Sequence, residues 1–319
     1  MSWDIPTTIT VLKNSLDVVR SLLGIPKDVQ GLLPSEEKNG AVGTSLESPQ
    51  DGSDAPPAMK RHRQEVADRL NRLLGLLNER RRYNSLTIPE IATILGLSSV
   101  SDLENYFFAE KDAPFELLDQ IANTFGLHPG WLKFGHKGEP FASQRHGLHW
   151  HDGGLLGLIE KLEPQQIFFV RCLNDWGYAH VAFRFTDWKY EGTYDGWNIS
   201  NHVGHTGTSQ LYELWQLLRK IEERRELTVA GRDLPEDLYF SLIRGEIYPG
   251  TLLEDVNRYR SFWFDDFTDI DNKYPIAADR YSRHGSGFVR AQRLMRDCRD
   301  YSRNSRQQER QAPQRTSYP

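Results

Sequence analysis

Between residues 62 and 141, apolar positions recur at three- and four-residue spacing in short bursts, each with its own start or stop signal. Leu70, Leu73, Leu74 and Leu77 form the stripe of a long first helix. Thr87 and Glu90 make a capping box, with Pro89 in the first turn, where a missing N–H costs nothing. Gly96 breaks that helix, and Ser99 and Ser101 offer caps for the next, whose first turn holds Asp102 and Glu104. Pro114 opens a further helix in which Phe115, Leu118, Ile121, Ala122 and Phe125 share one face. Gly126 ends it, and Pro129 begins a last turn that carries Trp131 and Leu132 into the core. Two short helices joined by a glycine turn and buttressed by others build a helix-turn-helix.

Beyond residue 146 the period changes. A helix over LLGLIEKL precedes a short apolar run, IFFVRC (167–172), that reads as a strand. HVAFRF (180–185) alternates, with Val181, Phe183 and Phe185 opposite Ala182 and Arg184, and residues 189–200 suggest two more short strands around Gly192 and Gly196. A strong helix follows with Leu211, Leu214, Trp215, Leu218 and Ile221 inward; another starts at Pro235, and a third is expected over TLLEDVNRYRSFWFDDF. The pattern predicts a mainly α chain: an all-helical helix-turn-helix domain, then an α+β domain whose small antiparallel sheet is covered by helices.

Composition divides the chain further. Residues 1–33 read as an amphipathic helix with Ile9, Leu12, Leu16, Val19 and Leu23 on one face, tethered by a Gly-, Ser-, Pro- and acid-rich linker over 34–59. A helix on such a tether is expected to dock on its own body or on another subunit, which points to self-association. The helix-turn-helix domain is expected over 60–141, the α+β domain over 146–296 and a disordered basic tail over 302–319.

The order Leu86, Thr87, Glu90, Ile91, Ala92, Leu95, Gly96, Leu97, Ser98, followed by Pro114, Leu118, Ile121, Ala122, Phe125, Gly126, Leu127, Trp131 and Leu132, resembles the phage-repressor-like (Cro/XRE) helix-turn-helix family. The trailing Gly135, Gly138, Pro140 and Phe141 also look like its ending. The resemblance implies a repressor-like fold, operator binding as a dimer, and a recognition helix starting near Ser99.

Charge complicates that implication. Across 98–119 there are six acids, Asp102, Glu104, Glu110, Asp112, Glu116 and Asp119, against Lys111 alone. Within the presumed recognition helix only Asn105 and serines such as Ser99 and Ser101 are fitted to read base edges, and an acidic face must first overcome phosphate repulsion. The upstream stretch 61–82 holds seven arginines against Glu65, Asp68 and Glu79, and its Arg80, Arg81 and Arg82 can sit on a phosphate backbone or merely complement a helix C-terminus. Residues 290–319 carry eight arginines against Asp297, Asp300 and Glu309. They can contact phosphates without sequence preference or dock on the acidic faces at 98–119 or 265–271.

With a formal net charge of −5 the protein as a whole is not expected to bind polyanions, which leaves phosphate contacts to local basic segments. Two cysteines, Cys172 and Cys298, provide no disulfide framework, and no apolar run suits a membrane span, so a cytoplasmic protein is expected. Metal chemistry has weak candidates in His146, His149 and His151 beside Asp152, with His202 and His205 further on; neither group matches a named zinc motif. The loop from Gly204 to Ser209 lacks the lysine of a phosphate-binding loop and reads as a helix cap provided by Thr208 or Ser209. Asp265, Asp266, Asp269 and Asp271 read as a solvated acidic turn or a surface for a basic partner. No catalytic constellation emerges and no cofactor is expected. Two functions remain open: a DNA-binding transcriptional regulator whose second domain senses a ligand or dimerises, and an oligomeric interaction or effector protein that uses the helix-turn-helix for protein docking.

Overall fold

The computed structural model describes residues 57–79, 81, 85–136, 138–141, 145–148, 154–271 and 278–311, all within one compact unit, Asp54–Pro319. The helix expected over 1–33, the linker up to residue 56 and the tail over 312–319 lie outside the described residues.

Five helices follow the predicted order: α1 (Pro57–Asn78), α2 (Ile88–Ile94), α3 (Val100–Phe107), α4 (Phe115–Phe125) and α5 (Pro129–Phe134). The capping box closes in both directions. The Thr87 amide donates to the Glu90 carboxylate at 2.7 Å, and the Glu90 amide donates to the Thr87 hydroxyl at 3.4 Å. Gly96 and Gly126 both take left-handed backbone, with φ of 68° and 67°, and so turn the chain out of α2 and α4. Leu70, Leu73, Leu77, Ile91, Leu103, Phe107, Leu118 and Phe125 meet in the core they enclose.

The second half departs from expectation. A mixed sheet of seven strands replaces the small antiparallel one: β1 (Arg145–His146), β2 (Gln166–Cys172), β3 (Tyr178–Arg184), β4 (Tyr190–Thr193), β5 (Trp197–Asn198), β6 (Val229–Leu234) and β7 (Arg260–Ser261). The strand order is β1-β4-β3-β2-β6-β7, with β5 beside β3. β2 runs parallel to β6 and β1 parallel to β4, while the remaining pairs are antiparallel. The physical reason is that β6 carries no apolar alternation. VAGRDL holds a glycine and two charged residues, and it forms a strand because β2 offers it six paired positions, from Ile167↔Val229 to Cys172↔Leu234. The two-residue strands β1 and β7 likewise exist only through their neighbours.

Helices cover both faces. α6 (Gly154–Leu162) precedes β2, and α7 (His205–Glu223) joins β5 to β6. α8 (Glu236–Arg244), α9 (Pro249–Leu253) and α10 (Val256–Tyr259) lie between β6 and β7, and α11 (Trp263–Thr268) and α12 (Ala278–Gln311) follow. The third helix expected over 251–267 is therefore broken into α9, α10 and α11, with β7 between the last two. α7 starts at His205, capped by Gly204, so Thr208 and Ser209 lie inside it rather than at its cap. α12 kinks at Gly285 and runs on through Gln311, into the stretch expected to be tail.

Alternation along β2 explains the layers. Phe168, Val170 and Cys172 face a core shared with the helix-turn-helix module, α8 and α9, while Ile167 and Phe169 face a second core shared with α6, α7, α11 and α12. A strand buried on both faces reads as an unbroken apolar run, as IFFV does. The helix-turn-helix thus packs on one face of the sheet. Phe125 meets Trp188 edge-on at 5.9 Å between ring centroids, and Phe141 lies 5.5 Å from Tyr248.

Candidate nucleic-acid interface

The α2–turn–α3 unit positions the residues predicted to read DNA. Ser99 occupies the N-cap of α3 in extended backbone, although its hydroxyl makes no capping bond there. Ser99 and Ser101 are exposed, and Asn105 is half-buried. The inward side of α3 is held by Leu103 and Phe107, and the Asn71 amide clamps its end by donating to the Phe107 carbonyl at 2.8 Å.

The same surface is acidic and aromatic. Asp102, Glu110 and Asp112 are exposed; Lys111 is drawn to Asp102 at 3.2 Å. Phe108, Phe115 and Phe134 are 65%, 49% and 55% exposed, so Phe115 does not point inward as its helical spacing suggested. Phe115 and Phe134 instead pair edge-on at 5.8 Å on the outside. Beside them a groove of about 510 Å³ runs between Val66, Tyr106, Pro114 and Phe115, with Arg63 and Asp112 at its rim.

The arginines of 61–82 are largely committed within the chain. Arg61 pairs with Glu65, and Arg63 grips Asp112 through two bonds of 2.9 and 3.2 Å. Their mutual contact holds the Asp112 carboxyl below its ordinary range. Arg69 donates to the Leu132 and Lys133 carbonyls at the end of α5, at 2.8 and 3.1 Å. Arg72 reaches Glu139 at 3.0 Å, and Arg81 lies over the Trp188 ring at 4.7 Å, on the sheet side of the module. Arg80 and Arg82 lie outside the described residues. Of the six candidate DNA-contacting residues, α3 thus brings Ser99, Ser101 and Asn105 together, and Arg81 stands apart from them.

A buried charged network occupies the opposite side of the sheet. Arg171 on β2 makes a two-pronged contact to Asp233 on β6, at 2.8 and 2.9 Å, and these residues are register partners across the parallel pair. Arg171 also donates to His284 Nδ1 at 2.9 Å, and His284 Nε2 meets Asp266 at 2.7 Å, which assigns the imidazole proton to Nε2. The Ser261 hydroxyl donates to Asp233 at 2.6 Å. Asp266 and His284 are only 6% and 4% exposed, so within the aspartate run Asp266 is not solvated but anchors α12, while Asp271 is exposed. Arg299 adds a bond to Asp271 at 2.6 Å, so α12 docks on the 265–271 segment. No local pattern announces this network, because its members come from β2, β6, β7, α11 and α12. Ser261 is bonded to a carboxylate rather than an imidazole, and burial pushes the Cys172 thiol up to about 12, so neither is set up as a nucleophile.

The histidine candidates resolve differently. His146 on β1 pairs with Glu191 at 2.6 Å, while His149 and His151 lie outside the described residues. Among the described residues, no group of three His, Cys, Asp or Glu side chains is placed to hold a metal ion. Among them too, no helix is long and apolar enough to cross a membrane. No protein-family model matches the chain, and no curated protein or solved structure does either.

Proposed function

We propose that this chain is a cytoplasmic DNA-binding regulator, with the repressor-like module carrying sequence readout and the sheet domain serving sensing or dimerisation. The observation that supports it best is the α2–turn–α3 unit itself. Its capping box and left-handed Gly96 set α3 on the surface, with Ser99, Ser101 and Asn105 at its exposed or half-exposed positions. Asn pairs with adenine through two bonds, and serine hydroxyls accept or donate to either strand. A low-salt gel shift against fragmented genomic DNA tests the reading. The expected result is retention of a discrete subset of fragments, with Asn105→Ala reducing discrimination by roughly tenfold, the value of one good base contact. Uniform or absent retention would sink it.

A second reading is favoured by one observation, the exposed Phe108, Phe115 and Phe134 beside Asp102 and Asp112. Such a patch fits a basic, apolar protein segment better than a phosphate backbone. On that reading the module docks protein within an oligomer. Phe115→Ser would then abolish a co-purifying assembly while leaving any DNA retention unchanged.

A further inference from the structure

The groove between α7 and the C-terminal half of α12 combines free cations with aromatic rings. It has a volume of about 500 Å³, and its lining includes Tyr212, Trp215, Arg219, Lys220, Arg299 and Arg303. Arg299 is neutralised by Asp271 and Asp300, at 2.6 and 2.9 Å. Arg219, Lys220 and Arg303 are exposed, and among the described residues no carboxylate is bonded to any of them; Glu223 is the acid in the lining. The Arg219 guanidinium lies over the buried Trp215 ring at 5.2 Å, and the half-buried Tyr212 stacks on the same ring at 5.5 Å, so the ring holds Arg219 at the groove surface. α12 carries further arginines, Arg306 and Arg310, along the same helix before Gln311.

We infer that this groove binds the phosphate backbone of nucleic acid, independently of base sequence. The contrast with α1 carries the argument. There the described arginines of the helix-turn-helix module are tied to carboxylates, carbonyls or rings, so among the described residues the acidic α3 is short of the cations that every duplex contact needs. The groove supplies such cations on another part of the molecule, on two helices fixed by the core contacts of Leu211, Leu214, Leu218, Phe288 and Met295. Duplex DNA is the occupant, which follows from the regulator reading; an acidic protein is the competing one. The inference rests partly on that reading, yet it is testable apart from it.

The experiment is a fluorescence-anisotropy titration of the full chain against a labelled duplex of arbitrary sequence, over a series of salt concentrations. Each phosphate contact contributes about 0.9 to the slope of log affinity against log salt. Replacing Arg219, Lys220 and Arg303 together by Ala is expected to lower that slope by about 2 to 3 and to weaken low-salt binding at least about tenfold. A control triple at exposed cations outside the lining, Lys161→Ala/Arg258→Ala/Arg260→Ala, should leave both nearly unchanged. Matching thermal melts establish that both triples fold.

An unchanged slope in the groove triple, or an equal loss in the control triple, overturns the inference. So does displacement of the duplex by polyglutamate as readily as by unlabelled duplex, which would mark the groove as a surface for acidic protein. Asn105→Ala separates the two proposals. If it abolishes fragment discrimination while the groove triple binds normally, the regulator reading stands and the groove falls. If wild type shows no discrimination yet loses salt-dependent binding in the groove triple, the reverse holds.

Discussion

The two faces of the central sheet meet their helices by different chemistry. On the helix-turn-helix face the buried polar groups are neutral or answered by carbonyls. His180 bonds to the Tyr239 hydroxyl, Tyr248 donates to the Trp188 carbonyl at 2.9 Å, and Arg232 donates to the Leu253 carbonyl at 2.6 Å. On the other face Arg171, Asp233, Asp266 and His284 form a charged chain from the sheet into α12. A neutral junction tolerates the loss of one partner at the cost of an unmade bond, whereas a charged one leaves an uncompensated ion in the core. The α12 face should therefore be the more fragile to single substitutions and the less fragile to paired ones.

The largest effect tests that directly. Arg171→Met leaves the Asp233 carboxylate with the Ser261 hydroxyl as its remaining described bond, and should lower unfolding free energy by about 3–5 kcal/mol. Arg171→Met with Asp233→Asn removes both charges and should recover a substantial part of the loss, as read by urea denaturation. If the double variant is no more stable than the single, the network matters through the packing of Arg171 between Trp263 and Phe288, not through charge.

The second prediction concerns the neutral face. Burial pushes the His180 imidazole down from 6.5 to about 4, against a partly opposing backbone hydrogen bond involving Tyr194. Above pH 6.5 both folded and unfolded chains hold it neutral, and it adds no pH dependence. Between pH 6.5 and about 4 the unfolded chain takes up a proton that the folded one refuses, so stability falls with pH, levelling off below that range. The full loss is about 3 kcal/mol. His180→Gln should flatten this limb in denaturation curves across that window; curves for the two proteins that stay parallel would remove His180 from the account.

How much of this was legible follows the same division. The helix-turn-helix is written in local signals: Thr87 and Glu90 lie three residues apart, and Gly96 and Gly126 mark their own turns. The sheet was legible at β2 and β3, where apolar side chains announce themselves, and illegible at β6, whose Asp233 becomes a strand residue only against Arg171, 62 positions earlier. Asp266 looked solvated because its partner, His284, stands 18 positions further along the chain, with no local pattern to link the two. Of the candidate interface, the serines and Asn105 of α3 were readable from helix order. The internal commitment of Arg63, Arg69 and Arg72 was not, since each partner is more than 45 residues away. The groove on α7 and α12 was hidden for the same reason.

The smallest predicted effect isolates the joint between module and sheet. Gly96 and Gly126 have nearly the same left-handed φ, 68° and 67°, so a side chain at either meets the same backbone penalty of about 1 kcal/mol. Their surroundings differ. A Cβ on Gly96 meets nothing within 4 Å, whereas one on Gly126 would stand 2.9 Å from the Tyr190 carbonyl oxygen of β4. Gly96→Ala should therefore cost about 1 kcal/mol, and Gly126→Ala about 1 kcal/mol more, because the module must lift off the strand or the strand must yield. The excess should disappear if the module can unfold or reposition separately from the sheet. Equal losses for the two variants, measured as melting shifts under one buffer, would mean that the neutral face is a loose contact, and the contrast between the faces would then be one of rigidity as well as charge.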